Sequence, residues 1–106
     1  MTYFNELAAE IEQGVPQELL PDGDTGFLFR LYALLALVKG TDVTAADVHN
    51  AWAVWMEQQD PDHRSIKPFE ELSAETQASD EPFAKAIRAA AERLDVNPSL
   101  TRGDRA

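Results

Sequence analysis

Cysteine is absent from the 106-residue chain, which removes disulfides, thiolate nucleophiles and every thiolate-ligated metal site. Basic side chains are scarce: 9 Lys and Arg face 19 Asp and Glu, a formal charge of −10. Nucleic-acid binding is driven by neutralising phosphates with Lys and Arg, so no nucleic acid is expected among the partners. Long hydrophobic runs are missing too. The most apolar stretch, 27–38, is interrupted by Arg30 and falls short of the roughly 20 residues a bilayer span requires. The start, Met1-Thr2-Tyr3-Phe4-Asn5-Glu6, has neither a basic nor an apolar leader region. A cytoplasmic protein with no membrane partner is therefore expected. Glycine is sparse and forms no phosphate-cradling loop: 21–26 is acidic and lacks a P-loop lysine.

What remains is enough for a core. Hydrophobic residues make up 44% of the chain, which argues against wholesale disorder, and the length suits one domain. Charge is unevenly spread. Residues 1–24 hold six acids and no base, whereas 63–106 hold eight acids and seven bases. The N-terminal quarter is the acidic face.

Periodicity and punctuation predict an all-α domain of four to five helices over 1–95, followed by a flexible tail over 96–106. The first helix, about 3–14, places Phe4, Leu7, Ala8 and Ile11 on one stripe and stops at Gly14 and Pro16. The second, about 25–39, is apolar almost all round, the mark of a central helix, and is closed by Lys39-Gly40. Thr44-Ala45-Ala46-Asp47 resembles a capping box. Val48, Ala51, Trp52 and Trp55 then carry the third helix to about Gln58. An extended segment is predicted near 63–68, because Pro68 biases its predecessor away from helix. A short helix over 72–78 follows. The last helix begins at Ser79 or Asp80 and places Phe83, Ile87, Ala90 and Leu94 on one stripe.

Both histidines and both tryptophans fall in the window 49–69. Core packing is one reading of Trp52 and Trp55, since indoles bury ~150–250 Å² each. Trp55 at a pocket wall, with its N–H available to donate, is another. His49 lies one residue off the apolar stripe, either as a half-buried ring bonded to a backbone carbonyl or to an acid, or as a group that coordinates metal or recognises a ligand with one ring nitrogen. His63, Asp60, Asp62 and His49 could in principle hold a divalent ion, but their spacing matches no specific metal signature, and no metal or cofactor is expected. None of the four serines sits in a nucleophile elbow. Asp22 and Asp24 do not open a complete calcium loop, because the place of its terminal glutamate is Ala33. A DNA mimic would need clustered acids, and here they are scattered over ordinary helical positions.

Two runs carry a resemblance. Val48-His49-Asn50-Ala51-Trp52-Ala53, followed by Asp62-His63, Ile66, Pro68-Phe69, Leu72, Asp80 and Phe83, resembles the ryanodine-receptor repeat domain. The helix Phe29-Arg30-Leu31-Tyr32-Ala33-Leu34-Leu35-Ala36 is similar, together with these, to short proteins of actinobacteria and their phages. The likeness to the repeat implies a helical module that binds a ligand or partner, with nucleotide-like ligands suggested for prokaryotic members. This chain lacks the repeat's G-W-x-Y-G element, and Arg64 stands where the repeat has proline after its histidine.

The expected function is a non-enzymatic binding module with a pocket between the third helix and 60–69. There Trp52 and Trp55 would offer stacking faces, His49 and His63 hydrogen bonds, and Arg64 and Lys67 positive charge for phosphates. The alternative is a protein–protein adaptor, either a homodimer or one half of a complex with a host protein. It would dock through the acidic first helix (Glu6, Glu10) or the apolar second one. A metal-dependent hydrolase using His49, Asp60 and His63 is a third class.

Overall fold

The computed structural model of the chain describes residues 3–96, and each apolar stripe of the sequence is a helix in it. In chain order these are α1 (Tyr3–Gln13), α2 (Gly26–Lys39), α3 (Ala45–Glu57), α4 (Ala74–Ala78) and α5 (Glu81–Val96). Three 3₁₀ turns, Gln17–Leu19, Gly40–Asp42 and Phe69–Glu71, lie in the connections. Among the described residues there is no strand, and the domain is all-α. The tail expected over 96–106 lies outside the described residues, apart from Val96 at the end of α5.

α1 buries Leu7, Ala8 and Ile11 against α2 and α5. Its last turn is closed by the Gly14 N–H on the Ile11 carbonyl (2.9 Å), after which Val15 drops into the core. α2 crosses the middle of the molecule and buries Leu28, Phe29, Tyr32, Ala33 and Ala36. It is not covered all round, however: Phe27, Leu34 and Val38 stay at the surface. Gly40 ends α2 at φ +61°, a conformation that suits glycine, and its N–H returns to the Ala36 carbonyl.

α3 opens with the full capping box. The Thr44 hydroxyl accepts from the Asp47 N–H (3.2 Å), and the Asp47 carboxylate accepts from the Thr44 N–H (2.9 Å). Such a cap is worth ~1 kcal/mol. Lys39 at the end of α2 also reaches Asp47 (2.9 Å), tying the two helices at their shared corner.

The stretch expected to be extended is instead a run of turns. The N–H groups of His63, Ile66 and Lys67 donate to the carbonyls of Asp60, His63 and Ser65, each at 3.0 Å. The proline bias acts on Lys67 alone. Upstream of it there is no strand to pair with, so the backbone satisfies itself locally.

Ser73 caps α4, its hydroxyl accepting from the Thr76 N–H (3.2 Å). Gln77 then pins the preceding 3₁₀ turn by donating to the carbonyls of Phe69 (2.9 Å) and Leu72 (3.2 Å). α5 presents Phe83, Ala84, Ala86, Ile87, Ala90 and Ala91 inward. The small alanines let its backbone approach α1, α2 and α3 closely. Arg88 donates to the Val43 carbonyl (2.8 Å) and so fastens α5 to the entry of α3.

Candidate ligand-binding cavity

α3 carries two inward stripes. Val48, Ala51 and Trp55 point into the core, and His49 and Trp52, one step round the helix, face α4, the start of α5 and the turns after α3. Their three-residue spacing stacks the two rings, with centroids 5.7 Å apart and planes at 24°. Between this face, Tyr32 of α2 and the start of α5 lies a cavity of about 270 Å³. Phe83 adds a further ring, and Thr76, Ser79 and Ser65 add hydroxyls. Leu19 and Pro21, from the loop between α1 and α2, complete the wall.

His49 is only 3% exposed. Its Nε2 lies 2.7 Å from the Lys67 carbonyl. A carbonyl can only accept, so Nε2 carries a proton and donates it to this bond. Trp52 is half-buried and braced from a second side by His63, whose ring meets it edge-on at 5.1 Å. His63 is itself oriented by the Ser65 N–H, which donates to Nδ1 at 3.0 Å. Two fixed imidazoles thus hold the indole in place.

Asp80 supplies the cavity's negative charge. It sits just before α5, with its carbonyl accepting the Ala84 N–H (3.1 Å). Among the described residues no hydrogen bond reaches its carboxylate. Partial burial raises its pKa to about 6, against the opposing pull of His49. The Tyr32 phenol is pushed well above its ordinary value, first by burial and then by the negative charge of Asp80. At neutral pH it stays protonated.

The six residues expected from sequence to form a site divide. His49 and Trp52 line the cavity. His63 does not line it but fixes Trp52. Trp55 belongs to the core at 5% exposure, and its N–H donates to the Asp24 carbonyl (3.3 Å), so it offers no stacking face. Arg64 and Lys67 are exposed and do not line the cavity; Lys67 contributes only its backbone carbonyl. Tyr32, Asp80 and Phe83 were not expected there. Tyr32 is hidden in an apolar run, and Asp80 carries the signature of a helix start. Among the described residues, no group of three or more His, Asp or Glu side chains is placed to hold a metal ion.

No helix among the described residues is long and apolar enough to cross a membrane. Two other surface grooves have no aromatic side chain in their walls, which leaves the Trp52–Asp80 cavity as the candidate site. Neither the curated proteins nor the solved structures contain a match to this chain. A family model does match, over residues 2–92, and the chain belongs to that family, the domain of unknown function DUF7701.

Proposed function

We propose that the domain is a non-enzymatic binding module for a small ligand held in the cavity beside Trp52. The observation that carries this reading is the convergence of four aromatic rings and one half-buried carboxylate on a single half-open pocket. Pockets for small molecules combine apolar walls with a few placed polar groups and span about 300–1,000 Å³. At about 270 Å³ the cavity falls just below that range, which suits a compact ligand. The likeness to the ryanodine-receptor repeat adds the expectation of a helical module that takes a ligand. In the nucleotide-like form of this reading a base stacks on Trp52. Its phosphates would then have to leave the cavity to meet Arg64 and Lys67, so a compact ligand without phosphates fits better.

Fluorescence tests this directly. In Trp55→Phe the only indole left is the cavity's own, so a panel of small aromatic amines, alcohols, carboxylates and nucleotides is expected to contain members that quench or shift it. Ligand at 100 times its Kd should also stabilise the fold by ~2.7 kcal/mol, visible as a rise in Tm. A panel that changes neither emission nor Tm contradicts the proposal.

A second reading, a homodimerising adaptor, is favoured by the surface of α2. Phe27, Leu34 and Val38 are 43%, 45% and 71% exposed, with half-buried Leu31 on the same stripe. An antiparallel two-fold pairing would set Phe27 against Val38 of a second copy and Leu31 against Leu34, an isologous contact. Light scattering should then give a dimer mass that Leu34→Glu returns to monomer. A monomer mass at all concentrations removes this reading.

A further inference from the structure

The chemistry of the cavity narrows what it can hold. Among the described residues, its titratable lining groups are Tyr32, His49 and Asp80. His49 uses its Nε2–H on the Lys67 carbonyl, and Tyr32 remains a neutral phenol. Arg64 and Lys67 are outside the lining, and among the described residues no Lys or Arg side chain lines the cavity. Asp80, by contrast, presents a carboxylate that no donor among the described residues satisfies. A half-buried carboxylate in that state attracts hydrogen-bond donors, and most strongly charged ones. Trp52, Tyr32 and Phe83 line the same space, and aromatic walls are compatible with a cation.

Resting on the ligand-binding reading above, we infer that the cavity takes an organic cation: a small ammonium ion on an apolar or aromatic body. The ammonium head sits against Asp80, with the hydroxyls of Thr76 and Ser79 as further acceptors. The body lies along the Trp52 indole. The raised pKa of Asp80 supports this arrangement, because a bound cation would restore the carboxylate's charge balance. At pH 6 binding should therefore release protons from Asp80. At pH 8 it should release almost none.

Three isosteric probes separate this inference from the proposal beneath it. 2-Phenylethylammonium, 2-phenylethanol and phenylacetate share a ring and a two-carbon reach and differ in head-group charge. Titrated into the full chain at pH 8, the ammonium is expected to bind at least about tenfold more tightly than the alcohol, with phenylacetate weakest. Asp80→Asn keeps a residue that starts a helix equally well. It should reduce ammonium affinity about tenfold and weaken the alcohol, a neutral donor, much less. Calorimetry in buffers of different ionisation enthalpy should show proton release at pH 6 in the parent and a smaller release in Asp80→Asn. Equal affinity for the ammonium and the alcohol, or tighter binding of phenylacetate, overturns the cation inference and leaves the cavity a ligand site. Ammonium affinity unchanged in Asp80→Asn does the same. Binding of none of the three overturns both.

Discussion

Trp55→Ala is expected to lose ~3–5 kcal/mol of stability, a large share of what holds a domain of this size together. Trp55 is 5% exposed and belongs to the same buried cluster as Leu28, Phe29 and Val48. Its indole N–H reaches the Asp24 carbonyl at 3.3 Å. Truncation would leave a cavity and strip the turn before α2 of its tie to α3. Small domains have ~5–15 kcal/mol in all, so a substantial unfolded fraction is expected at 37 °C. Trp52→Ala offers the comparison. Its side chain is half-buried against two imidazoles, and its loss should cost clearly less while abolishing ligand response. Urea denaturation followed by circular dichroism reads both. Equal midpoints for the two variants would contradict the separation of a core indole from a site indole.

That separation shows where the sequence is legible and where it stops being so. The helices are read from spacing, because burial on one side imposes a 3.6-residue period whatever the partner. The capping box at Thr44 and the glycine stop at Gly40 are local chemistry, and each forms in the structure. The face of a helix is harder. Val48, Ala51, Trp52 and Trp55 read as one stripe, yet Trp52 sits at its edge and turns with His49 toward α4 and α5. A rotation of one position decides which indole is core and which is wall.

Neighbours in sequence also proved a poor guide to neighbours in space. Arg64 and Lys67 lie within five residues of His63 and Ile66, but the turns at 60–67 leave both side chains exposed. The cavity's charge comes instead from Asp80, some thirty residues beyond His49 and on another element. Nothing local marks that residue. An aspartate just before a helix is ordinarily a cap, and only the packing of α5 against α2 and α3 reveals its carboxylate beside Tyr32 and His49.

Asp80→Asn is expected to stabilise the domain at neutral pH and to do so in a pH-dependent way. The carboxyl has a pKa of about 6 in the folded chain, against an ordinary value of 3.8. A folded state that holds its proton more tightly than the unfolded one is favoured by acid. Below about pH 4 the group is protonated in both states and its burial costs nothing. As pH rises through 6 the folded chain must accept a partly desolvated charge, and this contribution to stability is lost. The difference between 3.8 and about 6 corresponds to ~3 kcal/mol at full weight. The residue is only half-buried, and solvent screening reduces the expectation to ~1–2 kcal/mol. The groups facing Asp80 are His49 on α3 and Tyr32 on α2. Other carboxylates titrate over the same range, but they cancel in the difference between parent and variant. Urea midpoints at pH 4, 5, 6 and 7.5 should therefore lie close together near pH 4, separate in favour of Asp80→Asn between about 4 and 6, and stay separated above. Parallel curves across that range would mean that the carboxylate is solvated, and a solvated Asp80 would no longer give the cavity its polarity.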